Sequence, residues 1–280
     1  MDVAMNGNWH TFAYGEDTES PLWEQFHENS KLGRFSAVPS DRAIENVMVG
    51  LYDSLPCSGF PTVLLPKRLP ALTMPVGKAM QSRVTTREMS PHSLRVDQVA
   101  ALLHYGYGVT RDKKNSGLLR SLRMVPSAGA LYPIEIFVHI RNVQSMPTGL
   151  FHYNPLKHHL RWLRDGIHSD EVARYFVAHT IPQHTSVLIF LTALFERSAF
   201  KYGNRGYRFT LLEAGHIAQN INLASSALKL GCKNIGGFYD REIDAFLQLD
   251  GISHSTVYVL AVGMKPPNSP ARKPALKRGA

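Results

Sequence analysis

The sequence predicts an α+β fold with a central mixed sheet flanked by helices, and three observations carry that expectation. Apolar residues recur at helical spacing in two stretches, Val96, Val99, Ala100 and Leu103, then Ala214, Ile217, Ala218, Ile221 and Leu228. Between them lie strand-length segments: residues 134–140 alternate, and 187–195 form an almost unbroken apolar run of the kind buried on both faces. Neither GxGxxG nor GxxxxGK[ST] occurs, which removes the usual signals of a dinucleotide-binding or P-loop fold.

The elements follow in order. Residues 1–80 read as an accessory region, with helices over 21–31 and 41–53, where Ile44, Val47, Met48 and Leu51 share one face. Prolines at 56, 61, 66, 70 and 75 then forbid a helix interior and predict an extended segment. From residue 81 the pattern alternates. A helix runs from Val96 and stops near Gly106 and Gly108; Ile134, Ile136, Val138 and Ile140 form a half-buried strand, with Glu135, Phe137 and His139 on its other face. Residues 150–163 read as a hairpin turning at Asn154 and Pro155, followed by a helix capped by Ser169 or Asp170 and reaching about Ala178. The longest helix is expected over 210–230, stopped by Gly231, with a strand at 234–238, a helix begun by Asp240 and a last strand through Val257, Val259 and Ala261.

Composition narrows the function classes. With 280 residues, 44% hydrophobic and 19% charged, the chain buries a sizeable core. It has no apolar run of membrane-spanning length and no basic start followed by an apolar segment, so no membrane span or secretory signal is expected. Two cysteines, Cys57 and Cys232, exclude a disulfide framework and fit a reducing, cytoplasmic setting. Of the net charge of +9, five charges come from Lys265, Arg272, Lys273, Lys277 and Arg278, so 265–280 reads as a basic, disordered tail and nucleic-acid binding is not expected. The 13 histidines show no H-x3-H beside a carboxylate, and no metal is expected.

Four segments carry residue types beyond packing needs. Arg83, Thr85 and Arg87 alternate along an extended stretch, presenting two guanidinium forks and a hydroxyl suited to a phosphate or an electron-rich ring edge. In 125–133 (VPSAGALYP), small residues between prolines form a rigid loop that lets a flat ligand touch backbone. Pro126, Ser127 and Gly129 lie at its centre. Residues 200–208 (FKYGNRGYR) read as a loop able to place Lys201 and Tyr202 over a ligand. Finally, Gly236 and Gly237 in the 234–238 segment expose N–H groups for an anion.

In this order, R-x-T-x-R, PSAGALYP-I-E, KYGNRGYR with EAGHIAQN, and IGGF resemble the SagB-type, or McbC-like, azoline dehydrogenases of the nitroreductase superfamily. The resemblance covers roughly residues 81–264, and FHENSK at 26–31 matches a segment found upstream of that domain. Val84 departs from the second consecutive Arg of many members, and Thr85 from their Ser, although Thr keeps the hydroxyl. The resemblance implies a homodimer holding FMN at the subunit interface. Arg83, Thr85 and Arg87 would hold its phosphate or ring edges, Pro126, Ser127 and Gly129 would line the isoalloxazine, and Gln219, Asn220, Gly236 and Gly237 would complete the shell. The small residues of the long helix would be dimer core. The implied reaction oxidises a thiazoline or oxazoline in a peptide or thioester to the azole, with a cyclodehydratase or carrier-protein partner. A proton leaves Cα and a hydride leaves Cβ for the flavin, and Lys201 and Tyr202 would be the base pair. An ordinary ammonium is a poor base at pH 7, but desolvation and nearby Arg205 or Arg208 would favour the neutral amine; alternatively Tyr202 takes the proton. An NAD(P)H-dependent nitro- or quinone reductase and a non-catalytic flavin-fold scaffold are the rival readings.

Overall fold

Short links between apolar strands favour antiparallel pairing, and the chain follows that rule. The computed structural model describes residues 21–116, 119–166, 168–177, 181 and 184–266. Its N-terminal part supplies α1 (Leu22–Asn29), α2 (Asp41–Gly50), a short β1 (Thr62–Leu64) and α3 (Val76–Ser82). Next come α4 (Val96–Tyr107), a ribbon of β2 (Val109–Arg111) and β3 (Leu122–Arg123) around the one-turn α5 (Lys113–Ser116), and strands β4 (Ile134–Ile140), β5 (Gly149–Asn154) and β6 (His159–Asp165). The remainder is α6 (Ser169–Arg174), β7 (Val187–Leu194), α7 (Glu196–Tyr202), α8 (Arg205–Ala227), β8 (Leu230–Ile235), α9 (Asp240–Leu247) and β9 (His254–Met264).

Seven strands form one sheet in the order β1-β6-β5-β4-β7-β9-β8, with every ladder antiparallel. The expected α+β architecture holds. The sheet is antiparallel rather than the mixed one expected: among the described residues, parallel pairing is confined to two isolated bridges, Thr85 with Cys232 and Leu94 with Val143. The proline-rich stretch lies along the sheet edge as β1, where a missing N–H costs no ladder bond.

Helices cover both faces, and this corrects the reading of β4 as half-buried. All seven of its residues are buried. Ile134, Ile136, Val138 and Ile140 join a core with α4 and α8, while Phe137 joins a second core with Phe246 and Leu247 of α9. Alternation in β4 therefore marks two different cores, with polar Glu135 and His139 buried on the second side.

The largest difference from expectation is local. Residues 200–208 are not a loop: α7 runs through Tyr202, the chain kinks, and α8 starts at Arg205, five residues before the expected start. Two glycines make this possible. Gly203 adopts φ 54, which ends α7, and a Cβ on Gly206 would lie 2.8 Å from the carbonyl carbon of Ser198, so α8 can start against the α7 backbone. Because α8 also ends early, β8 begins at Leu230 rather than 234, and Gly231 is a strand residue instead of a helix stop. The small residues Ala214, Ala218, Ala224 and Ser225 are buried within the chain's own core. They are consumed by intrachain packing and do not form a free dimer face. Gly215 lies among exposed residues, near Leu211 (40% exposed) and Leu212 (59%). Helix α6 has His168 as N-cap, without a side-chain cap bond, and ends at Arg174; Ala178 and the tail beyond residue 266 lie outside the described residues.

Candidate active site

The 3-10 turn Ala128–Ala130 between β3 and β4 carries the PSAGALYP segment, and its backbone is forced. Gly129, Ala130 and Tyr132 all sit at positive φ, 61, 53 and 48. For non-glycine residues this costs about 1–3 kcal/mol each and persists only where surroundings hold it. The holding groups are identifiable. The Tyr132 N–H donates to Ser127 Oγ (2.9 Å), and the Arg123 N–H donates to Tyr132 Oη (2.9 Å). The Arg123 guanidinium stacks over the rings of Tyr107 (4.3 Å) and Tyr132 (4.6 Å), while Tyr107 Oη donates to Glu213 of α8 (2.7 Å). Burial pushes the Glu213 carboxyl up, against the hydrogen bonds from Ser127 and Tyr107.

The segment from Met124 to Gly129 runs alongside α8 in the opposite direction. Asn220 Nδ2 donates to the Met124 carbonyl (3.2 Å), Ser127 bonds Glu213, and Gly129 reaches the end of α7. There a Cβ on Gly129 would meet Tyr202 Oη at 2.8 Å and Lys201 Nζ at 3.1 Å. Thus Pro126, Ser127, Gly129, Lys201, Tyr202 and Asn220 share one stretch of surface. Gly129→Ala is expected to shift both side-chain tips and lower turnover about 100-fold, since a misplacement near 1 Å is enough for that, with a Tm drop of only a few degrees. Wild-type rates in a steady-state assay of that variant would contradict the placement.

A second buried network supports the same turn. Glu135 accepts from Arg197 Nη1 (2.6 Å), His152 Nε2 (2.7 Å), the Leu55 N–H (3.0 Å) and the Ser54 hydroxyl (3.1 Å). Arg197 also donates to the Tyr132 carbonyl (3.4 Å), so one guanidinium ties α7 to the turn four residues before Lys201. Burial alone would raise the Glu135 carboxyl, yet Arg197 and His152 outweigh it and hold it at about 2. Burial would lower His152, but hydrogen bonds to Cys57 and Glu135 hold it at about 9. Sequence reading missed Glu135, Arg197, His152, Glu213 and Tyr107 as site supports. The available signal was an acid inside an apolar pattern: Glu135 in a strand of isoleucines and Glu213 beside the buried stripe of α8.

The other predicted residues lie elsewhere. Arg83, Thr85 and Arg87 are exposed, with Thr86 between them buried against β8 through its N–H to the Cys232 carbonyl (3.0 Å). A cavity of about 400 Å³ here is lined by Arg83, Lys229, Lys265, Thr86 and Ser226, with no carboxylate among the described residues; Thr85 and Arg87 do not line it. This donor set fits a phosphate group. Burial pushes the neighbouring Cys232 thiol up to about 12, so it is a packing residue. Gly236 and Gly237 are exposed just past the end of β8, and Gln219 is exposed midway along α8. The Arg83 cavity touches Ser225 and Ser226, whereas Lys201 precedes the start of α8. About 30 Å of helix separates the two groups, at ~1.5 Å per residue. Among the described residues no helix is long and apolar enough to cross a membrane.

The chain is 32% identical over 183 residues to a protein of Methanocaldococcus jannaschii named as a nitroreductase, covering 65% of this chain and 87% of that one. It is 28% identical to the trifolitoxin-processing protein TfxB of Rhizobium leguminosarum bv. trifolii, over 61% of this chain and 48% of TfxB. Identity is 30% to the microcin B17-processing protein McbC of Escherichia coli, over 46% of this chain and 49% of McbC. The match therefore spans about half the length of those two processing proteins. Among solved structures, a nitroreductase-like chain from Anabaena variabilis superimposes with TM-score 0.71 at 23% identity, covering 90% of this chain and 49% of that one. The E. coli microcin synthetase McbBCD complex, solved with truncated pro-MccB17 bound, gives 0.58 at 19%, covering 88% and 92%. The Nitroreductase family model matches residues 80–264, which take in the Arg83 segment, the Gly129 turn, Lys201 and β8, and the chain belongs to that family.

Proposed function

We propose that this chain is an FMN-dependent azoline dehydrogenase, acting as a homodimer on thiazoline or oxazoline rings in a peptide or thioester-linked precursor. The observation that carries the reading is the meeting of Lys201 Nζ and Tyr202 Oη at the strained Gly129 turn. Aromatising an azoline removes a proton from Cα and a hydride from Cβ, so it needs a base, which reduction of a nitro group by NAD(P)H does not. FMN, when bound, supplies the hydride acceptor. Lys201 and Tyr202 take the Cα proton, one as base and the other orienting it. Pro126, Ser127 and Gly129 form the rigid floor for a flat ring, with Asn220 beside it, while Gln219, exposed on α8, faces the partner copy. Arg83, joined by Lys229 and Lys265, suits the cofactor's phosphate, and Thr85, Arg87, Gly236 and Gly237 edge the same side of the sheet.

The separation of these two groups along α8 supports a dimer. Two copies packed antiparallel along α8, through Leu211, Leu212, Gly215 and Gln219, bring the Lys201 end of one toward the Arg83 end of the other. The 30% identity to the microcin B17-processing protein McbC supports a partner complex, and we take that partner to be a cyclodehydratase or carrier protein and the setting to be the cytoplasm. In this reading residues 1–80 are an accessory region attached to the catalytic unit 81–264. The test is a visible spectrum of the purified protein followed by incubation with a thiazoline-containing peptide. Flavin bands and loss of two hydrogens from the peptide by mass are expected. Reduction of a nitroaromatic by NAD(P)H without azole formation would replace this reading with the reductase, and failure to take up FMN would leave a scaffold.

A further inference from the structure

The N-terminal region is packed against the Lys201 segment. Helix α1 docks on the start of α8: Phe26 meets Tyr207 edge to face at 5.2 Å, the Arg208 guanidinium sits 5.9 Å over the Phe26 ring, and Arg208 Nη2 donates to the His27 carbonyl. From α1 the chain crosses the α7–α8 kink. Residues 29–32 and 37–39 on one side and 199–205 on the other line an open cavity of about 320 Å³, with Phe200 and the largely exposed Leu32 and Val38 as its apolar lining. Among the described residues its charged lining is Lys31, Lys201 and Arg205, with no carboxylate. Lys31 pairs with Glu28, but both side chains are more than half exposed (51% and 60%), so water screens the pair. Lys201 and Arg205 form no ion pair among the described residues. The N-terminal end of the 23-residue α8 adds positive potential at Arg205.

We propose that this cavity is the substrate pocket, that residues 29–32 and 37–39 form its outer wall, and that, of the precursors in the reading above, it selects a peptide whose azoline is C-terminal and so carries a free carboxylate on Cα, with Arg205 and Lys31 as the carboxylate's partners. The inference rests on the azoline reading above and names the substrate class for it. Its chemistry is specific. Loss of the Cα proton to Lys201 develops negative charge on a carbon already bonded to an anion. Cations paired with that carboxylate draw the charge off and make proton removal easier. An uncharged amide at the same position, as in an azoline inside a peptide, gives Arg205 and Lys31 no anion to pair with.

The experiment uses the full-length purified holoprotein and two pairs of small probes. Binding is measured with 2-phenylthiazole-4-carboxylate and its 4-carboxamide, and turnover with the two corresponding thiazolines. The expected result is at least about tenfold tighter binding of the carboxylate, the step that one good charge contact confers. Arg205→Gln and Lys31→Gln should each reduce that preference and the double variant abolish it. Val38→Trp, which fills the cavity from the wall side, should weaken both probes while leaving the melting curve unchanged. Equal binding of the two probes, or a preference that survives in the double variant, overturns the proposal. Failure and success separate from the azoline reading: if both thiazolines are oxidised equally fast, that reading stands and the carboxylate pocket falls. If the carboxylate is preferred in binding but neither thiazoline is oxidised, the anion-selective cavity stands and the azoline reading falls.

Discussion

Lys201→Ala is expected to lower azoline turnover about 10²–10⁴-fold, the contribution of a positioned general base, while FMN content stays at the wild-type level. Lys201 is only half-buried at the end of α7, so its truncation opens no core cavity and should leave the melting temperature nearly unchanged. Its tip reaches the Gly129 turn beside Tyr202, with the ammonium 5.4 Å from the Tyr202 ring centre. Single-turnover bleaching of the flavin band isolates the step that needs the base. Tyr202→Phe apportions the role: a loss as large as that of Lys201→Ala makes the phenol the proton acceptor, and a loss under tenfold leaves it to the lysine. Full activity in Lys201→Ala would remove the base assignment altogether.

Glu135→Gln should produce the largest stability loss, about 3–5 kcal/mol, because it leaves the buried Arg197 guanidinium without its counter-charge. For a chain of this size that corresponds to a fall of about 10 °C in Tm. Adding Arg197→Met should recover part of it, since the isolated charge is then gone. The same network sets a pH window. Glu135 is lowered from 4.5 to about 2, so its contribution is complete above 4.5 and is lost as pH falls through that range. His152 is raised from 6.5 to about 9, so its contribution is complete below 6.5 and is lost as pH rises toward 9. Taken alone, the Glu135–His152 pair places the highest melting temperature between pH 4.5 and 6.5. His139 and His254, which burial lowers from 6.5 to about 4, lose their contribution as pH falls through the same range. Glu135→Gln should therefore remove only the pair's part, read as a flatter slope between pH 6.5 and 9. A parallel, merely lowered pH profile in the variant would show that other groups govern it.

Most strands were legible because their signals are local. Runs such as 187–195 need only a buried position on either side of a sheet, and β7 formed there almost to the residue. The α7–α8 kink was not legible, since glycine-rich composition describes a loop and a close helix contact equally well. Only the Ser198 backbone pressed against Gly206 decides between them. Similarly, alternation in β4 gave its direction of packing but not its second covered face, because that face is supplied by α9, about a hundred residues later.

By itself the sequence determined the fold class, the order of the elements and the four segments worth watching, because periodicity and residue type are read one segment at a time. Tertiary structure decided which of those segments meet. Gly129, Lys201 and Tyr202 come together, whereas Arg83 lies most of a 23-residue helix away from them. It also drew the N-terminal segment onto the Lys201 pocket and assigned the small residues of α8 to the chain's own core. The physical reason is that distance along the chain carries no information about distance through space once rigid helices and sheet order fix the geometry.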